Sequence, residues 1–396
     1  MNIPKHIHKI VLHKGDIETL GYFSKQLSKS FINFGYPVYI IDFEQELESI
    51  KGLAEFIEPG ATAFVTFNYT GLIGEDFLQV PNHGCVWDVA HVYCINIVVD
   101  HPFYYHRFLP MLPKLYFQYC IDKDHLAYMN RFFPHISCGF LPLAGTQLLD
   151  SLIPFEDRTI DVIFTGNYTP PSTFEKDITR INDEYTAFYY SIINDLIDNP
   201  DMPMEQAFEK HLRLNMENAT EEEIRDSMPT LIFLDLYVRN YYRGKIIRTL
   251  IDSNIKVHVF GAGWDRLECK HPENMICGGN IDSEECLEHI CNAKISLNVM
   301  PWFKNGAHDR IFNTMLNGAV CVTDDSIYLR EQLNPTKDVI FYSLKELNKL
   351  PEIINNLLAH PDFCKDLISH GYETAKKSHT WNQRAMDIDQ LFKGIQ

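Results

Sequence analysis

The chain lacks several things, and each absence removes a class of function. Its 396 residues include ten cysteines, but no Cys-x-x-Cys occurs and the closest pair is Cys286 and Cys291. Neither a structural zinc site nor a disulfide framework is indicated, and reduced thiols in the cytoplasm are the expectation. No apolar run approaches bilayer-spanning length. The stretch Met1–Asp16 is polar and rich in His and Lys, unlike a signal peptide or an anchor. Positive charge is scarce, with 35 Lys and Arg against 53 Asp and Glu and a net charge of -18. That balance argues against nucleic acid or an anionic membrane as a partner, although a local basic pocket stays open. No internal repeat, low-complexity tract or compact set of metal ligands appears, so neither a cofactor nor a metal is expected.

What is present is α/β alternation on a scale that predicts two domains. The runs 7–12 and 36–42 read as strands. Between them Phe23, Leu27, Phe31 and Phe34 recur at helical spacing until Gly35. Further strands are expected at 63–68, 93–100, 116–121 and 138–141, with a helix at 123–133. A boundary is placed near 151–158, where Pro154 and charged residues interrupt the pattern before a strand at 160–165 that ends in Gly166-Asn167. From Phe174 to Ile251 the periodicity is helical: Tyr185, Phe188, Tyr189, Ile192, Ile193 and Leu196 share one face, and Asn199-Pro200 stops it. Arg239, Arg243, Lys245 and Arg248 read more simply as a solvated basic face than as a phosphate contact. Alternation resumes with the strand 256–260 and the turn Gly261-Ala262-Gly263-Trp264, then a helix at 283–293. The domains expected are thus residues 1–152, residues 153–378 with a helical segment at 174–251, and a last helix within 379–396.

The most informative stretch runs from Asn298 to Asp325. Ile295, Leu297 and Val299 alternate as a buried strand, a polar turn follows, and a helix begins near Asp309 and closes at Gly318 before a second strand. Open α/β sheets bind ligands at such strand ends. The unpaired N–H groups of the helix would face an anion, and Arg310 would add a bidentate charge.

These residues carry a resemblance to a known family. The turn Phe260-Gly261-Ala262-Gly263-Trp264, the strand end Ser296-Leu297-Asn298, the Arg310-Ile311-Phe312 helix with Met315 and Gly318, and Val322-Thr323-Asp324 resemble the GT-B glycosyltransferases, within them the CgeB-like (spore maturation protein-like, glycosyl transferases group 1) family. In the first half the match lies in Val98-Val99-Asp100-His101-Pro102, Cys120–His125 and Phe140-Leu141-Pro142. The resemblance implies two Rossmann-like domains facing across a cleft, with a helical insertion in the second and a last helix crossing back to the first. It implies a nucleotide-diphosphate sugar as donor on the second domain and an acceptor, not identified by the sequence, on the first. Carried over, Gly166, Asn167, Gly261, Gly263, Trp264, Asn298 and Asp309 border the donor, while His308 and Arg310 meet its phosphates. Related retaining enzymes carry two glutamates eight positions apart for the sugar and the ribose. Here Asn305 and Asn313 stand there, so donor binding is weakened and a retaining outcome does not follow.

The expected chemistry is metal-independent sugar transfer. Arg310 and the helix terminus would stabilise the leaving diphosphate. His101 and Asp100, at a first-domain strand end, are the base candidates, with a capping role for His101 as the competing reading. Trp302 and Phe303 would stack on a ligand or roof the site. The alternative is a catalytically silent module that binds nucleotide-sugar or a partner protein; an epimerase is a third. A homo-oligomer or a protein partner through the helical segment stays open.

Overall fold

The computed structural model describes residues 6–15, 17–81 and 83–394, so part of the polar N-terminal stretch, residues 1–5 and 16, lies outside the described residues. The chain divides into two units, Met1–Ala144 with His379–Gln396, and Gly145–Ser378.

The first unit is built on a six-stranded, all-parallel sheet. Its strands are β1 (Lys9–Lys14), β2 (Val38–Asp42), β3 (Thr62–Phe67), β4 (Tyr93–Val98), β5 (Tyr116–Cys120) and β6 (Cys138–Phe140). They lie in the order β2-β1-β3-β4-β5-β6, so the direction of strand addition reverses between β1 and β3. Thr62–Phe67 is buried throughout and Tyr93–Val98 nearly so. Continuous apolar runs of this kind are what a parallel strand covered on both faces requires. Helix α1 (Glu18–Asn33) buries Phe23, Leu27 and Phe31 against the sheet and ends before Gly35, whose φ of 88° only glycine adopts freely. The remaining helices of the unit include α2 (Glu46–Phe56) and α3 (Lys123–Phe132). The final helix of the chain packs on α1, with Trp381 5.1 Å from Phe23 and Phe392 6.3 Å from Phe31 between ring centroids. Arg384 anchors that helix through the Leu143 carbonyl at 3.0 Å.

The second unit repeats the plan. Strands β7 (Ile160–Thr165), β8 (Val257–Phe260), β9 (Met275–Gly279), β10 (Ala293–Asn298), β11 (Val320–Asp324) and β12 (Ile340–Tyr342) form a parallel sheet ordered β9-β8-β7-β10-β11-β12. The chain enters at the centre, builds outward through β8 and β9, and crosses back to lay β10 on the other side of β7. The reversal therefore falls between β7 and β10, where open sheets of this kind bind ligands.

Helices α4 (Asp183–Asp198), α5 (Met204–Asn215), α6 (Glu221–Ser227) and α7 (Ile232–Ile251) fill the connection from β7 to β8. Each begins for a local reason. Asn182 caps α4 by accepting from Tyr185 N at 2.9 Å. Thr220 and Glu223 form a reciprocal capping box on α6, a device worth about 1 kcal/mol. The periodic residues Tyr189, Ile192, Ile193 and Leu196 are buried. After β9 come α8 (Ser283–Cys291), α9 (Asp309–Leu316), α10 (Ile327–Gln332), α11 (Leu350–Ala359) and α12 (Pro361–Ser378). The last helix, α13 (Trp381–Gly394), belongs to the first unit.

The boundary differs from the sequence expectation, falling after Ala144 rather than after residue 152. Residues 145–148 run along α9 and are fixed to it by side chains: Asn313 Oδ1 accepts from Thr146 N at 2.8 Å and Asn317 Oδ1 from Leu148 N at 2.9 Å. A β-carbon on Gly145 would lie 2.5 Å from the Phe312 carbonyl carbon, so this segment belongs to the second core. Several elements escape the sequence pattern, among them the short antiparallel pair of Gln79–Val80 with Gly84–Cys85 and the helical turn Val86–Val89. Helix α2 was not expected, and neither was β9, an edge strand ending in two glycines with Ile276 40% exposed. An edge strand with one wet side carries no continuous apolar run.

Candidate ligand site in the second unit

The carboxyl ends of β7, β8 and β10 converge around one arginine. Arg310, the second residue of α9, is 7% exposed and extends back across the sheet reversal. Its Nε donates to Thr165 Oγ1 at the end of β7 (3.1 Å) and its Nη1 to Asn298 Oδ1 at the end of β10 (2.9 Å). The guanidinium lies 5.0 Å from the centre of the Phe164 ring. Asn298 is held in turn, donating from Nδ2 to Thr323 Oγ1 at 2.9 Å while its carbonyl accepts from the Tyr342 hydroxyl at 2.7 Å. Both strand ends thus aim one cation, and α9 supplies it.

Arg310 pairs with no carboxylate among the described residues; its contacts are a hydroxyl, an amide and a ring. Burial lowers its pKa, with the neighbouring Asp309 charge opposing. A buried cation without a counterion is costly, and the cost is recovered when an anion completes the site.

A second cation joins it from the helical segment. Arg243 on α7 donates from Nη1 to the Asn167 carbonyl at 2.8 Å, and its buried Nε has no partner. Burial and the charges of Arg239 and Arg310 hold its pKa well below the ordinary range. Arg239 pairs with Asp235 at 2.8 Å. Both guanidiniums lie over Trp302, at 4.2 Å for Arg239 and 5.2 Å for Arg243. The sequence expectation of one solvated basic face is corrected for these two. Lys245 and Arg248 turn elsewhere, to the Tyr241 hydroxyl and the Glu268 carbonyl. Residues three or four apart share a helix face, and 239/243 and 245/248 lie on different ones; the sequence shows that spacing but not which face meets Trp302.

The glycines form the floor. Gly261 has φ 127° and its β-carbon would fall 2.5 Å from the Gly166 carbonyl oxygen; Gly263 has φ 86° and would meet the Tyr168 oxygen at 2.1 Å. The loops after β7 and β8 therefore touch backbone to backbone, a distance only glycine permits. Asn167 Oδ1 stitches them by accepting from Ala262 N at 2.9 Å. Gly166, φ 151°, would place a β-carbon 3.1 Å from Arg310 Nη2, so its bareness leaves room for the guanidinium. Trp264 is enclosed in the packing beneath these loops. It is 1% exposed, stacked on Tyr168 at 5.0 Å, and its Nε1 clamps the Gly166 carbonyl at 2.7 Å.

At the start of α9, His308 is the N-cap and accepts at Nδ1 from Arg310 N at 3.3 Å. The same nitrogen lies 3.0 Å from Asp309 Oδ1. Burial lowers the His308 pKa, with Arg310 adding to it and Asp309 opposing. Burial alone would raise the Asp309 carboxyl, but His308 and Arg310 outweigh it and hold it below the usual range. Asn313, matched to the ribose-binding position by the resemblance, is turned elsewhere: Oδ1 takes Thr146 N, and Nδ2 donates to Asp309 Oδ2 at 3.0 Å. The turn before α9 is bolted to the end of β11, where Met300 N donates to Asp324 Oδ1 (2.9 Å), Ile327 N to the Lys304 carbonyl (2.8 Å) and Ser326 Oγ to the Gly306 carbonyl (2.6 Å). Burial pushes the Asp324 carboxyl up to about 6.

The two base candidates lie in the first unit. His101 is 3% exposed and caps the turn after β4, its Nδ1 accepting from Phe103 N at 3.2 Å. Its ring is packed against Phe103, His125 and Tyr128, and burial drives its pKa well below the ordinary value. Asp100 is half-buried and accepts at Oδ2 from Asn68 Nδ2 and the Tyr105 hydroxyl, both at 3.0 Å. Asn68 and Tyr69 both have positive φ, 47° and 67°, a strained pair that points to a constrained site. A residue the sequence reading passed over is His13 at the end of β1. It is 1% exposed, stacked on Phe43, and neither ring nitrogen has a partner. Among the described residues no three His, Cys, Asp or Glu side chains are grouped to hold a metal ion, and no helix is long and apolar enough to cross a membrane.

Residues 243–390 match a family model described as glycosyl transferase-like. No curated protein sequence matches the chain significantly. Among solved structures the chain is similar to sucrose-phosphate synthase from Thermosynechococcus elongatus, with a TM-score of 0.54 at 10% identity over 98% of this chain and 99% of that one. It is similar to T4 phage BGT in complex with its UDP-glucose substrate (0.51, 13% identity, 98% of each chain) and to AviGT4, a glycosyltransferase involved in avilamycin A biosynthesis (0.51, 10% identity, 97% of each chain). At such identities the likeness shows the fold, the pair of Rossmann-like domains known as GT-B.

Proposed function

We propose that the chain is a glycosyltransferase that binds a nucleotide-diphosphate sugar at the ends of β7, β8 and β10 and passes the sugar to an acceptor held by the first unit. One observation carries this reading: Arg310, buried at the sheet reversal without a carboxylate partner, is built to receive an anion. Arg243 and the backbone N–H groups of α9 add further positive potential there, which suits a ligand with two linked phosphates better than a single carboxylate. The family match over 243–390 covers Arg243, α9 and their connecting strands, and the Arg310-Ile311-Phe312 helix supports the CgeB-like group within it.

In this reading the developing charge on the leaving diphosphate is met by Arg310, Arg243 and the start of α9, positioned before the reaction by Thr165, Asn298 and Asn167. The glycine floor holds the loops after β7 and β8 together and leaves room for the Arg310 guanidinium. No metal is required of these groups. Of the two base candidates we favour Asp100, whose carboxylate is partly exposed and oriented by Asn68 and Tyr105; His101 is enclosed and occupied as a cap. A second reading, a module that binds nucleotide-sugar without transferring it, is favoured by Asn313, whose amide is committed to Thr146 and Asp309.

Calorimetric titration with UDP-, GDP- and dTDP-sugars tests the proposal. Binding of at least one is expected, and folded protein that binds none overturns it. Release of nucleoside diphosphate in the presence of an acceptor panel then separates transferase from silent module.

A further inference from the structure

The cap of α9 makes two contacts that need opposite states of one atom. His308 Nδ1 lies 3.3 Å from the Arg310 backbone nitrogen and 3.0 Å from Asp309 Oδ1. To accept from the Arg310 N–H, Nδ1 must be bare. To bond to a carboxylate, which only accepts, it must carry a proton. Asp309 is kept in place from behind, because its Oδ2 takes Asn313 Nδ2 at 3.0 Å and Asn313 is tied to Thr146 N at 2.8 Å. The imidazole side chain keeps 21% of its surface exposed.

We propose that His308 is a proton-linked latch on this anion site. With the site empty, bare Nδ1 caps α9. When a diphosphate arrives, Nδ1 gains a proton and moves its bond to Asp309, the Arg310 N–H is released to the ligand, and Nε2–H donates to a phosphate oxygen. Asp309 and Asn313 act as positioning residues in this scheme. The inference rests on the diphosphate reading of the site.

The electrostatics around the ring give the sign. From α9 it faces Asp309 and Arg310, from α7 Arg243, and from the preceding turn the Phe303 ring at 6.3 Å. In the empty site burial and the two arginines oppose the imidazolium, while Asp309 favours it. A bound diphosphate neutralises the arginines and brings its own negative charge, so both changes favour protonation. Binding therefore takes up protons, and affinity weakens with rising pH by up to about tenfold per unit between the lowered pKa of the imidazole in the free protein and its higher pKa in the complex.

The test uses the full chain, with UDP and inorganic pyrophosphate as probes. Calorimetric titrations at fixed pH in buffers of different ionisation enthalpy give the number of protons exchanged. Wild type is expected to take up a measurable fraction of a proton more than His308→Asn, since asparagine is an equally good N-cap but does not titrate. The ligand's own protonation is common to both and cancels. Asp309→Asn should also reduce the uptake, because Nδ1–H loses its charged acceptor. Equal proton exchange by wild type and His308→Asn, with both binding, overturns the latch alone. Failure of wild type to bind either probe overturns the diphosphate reading and the latch with it.

Discussion

Replacing His13 with methionine should flatten the acid side of the stability profile by an amount that the structure sets. The ring is 1% exposed, stacked on Phe43 at 5.8 Å and edge-on to Phe67 at 6.5 Å, with no partner at either nitrogen. Burial brings its pKa from 6.5 to about 4. The unfolded chain therefore binds a proton that the folded chain refuses between those two values. Above pH 6.5 both states are neutral and His13 contributes no pH dependence. As pH falls from 6.5 towards 4 stability is lost, in total about 3 kcal/mol at 1.36 kcal/mol per unit. Between pH 7.5 and pH 5.0 the same linkage predicts a loss of about 2 kcal/mol from this residue. Urea unfolding of wild type and His13→Met at both pH values measures it, because any packing cost of methionine is the same at each pH and cancels in the difference. Wild type should lose about 2 kcal/mol more than the variant on acidification. Parallel pH profiles would refute the reasoning and mean that the ring is solvated or partnered in solution. His379, lowered to about 3, and His101 and His125, also lowered, act in the same direction, so the variant should keep some acid sensitivity.

The ligand site gives four further expectations. Arg310→Lys should weaken UDP binding by about 10- to 100-fold in calorimetry, the worth of one or two charge-assisted hydrogen bonds. Gly261→Ala should destabilise the second unit by more than about 2 kcal/mol in a thermal melt, since it combines φ 127° with a β-carbon 2.5 Å from Gly166 O. Asn317→Ala removes the bonds to Leu148 N, Thr146 O and Asn313 O and should cost about 2–4 kcal/mol in chemical denaturation. Asn313→Glu, which restores the residue of related enzymes, should lower stability by about 1–3 kcal/mol rather than improve binding, because a second carboxylate would face Asp309; tighter donor binding in that variant would contradict the placement of Asn313.

Much of the fold was legible because its signals are local. Parallel strands covered on both faces must be apolar throughout, which betrays 62–67 and 93–98, and a helix on a sheet must repeat its apolar residues every three or four positions, as Phe23, Leu27 and Phe31 do. The start and stop of α9 were legible for the same reason: Asp309 begins it and Gly318, φ 72°, ends it, while the His308 cap came only with the structure. The edge strand β9 was hidden because its exposed side relaxes the pattern.

The candidate site divides along the same line. Sequence by itself determined that Arg310 stands at a helix start after a buried strand, and so marked a candidate anion site, because position in a β–turn–α unit follows from neighbours in the chain. Only tertiary structure decided what surrounds it. Arg243 lies 67 positions away in sequence, and whether α7 turns that residue or Lys245 towards Asn167 depends on which helix face packs, which periodicity cannot orient. Asn313 drew attention as a departure from a family pattern, yet its amide serves the chain crossing at Thr146, a contact across 167 positions. Trp264, read as a neighbour of the ligand, is enclosed as a clamp on Gly166. Residue type and spacing name the candidates; the packing of distant segments assigns each side chain to ligand, backbone or core.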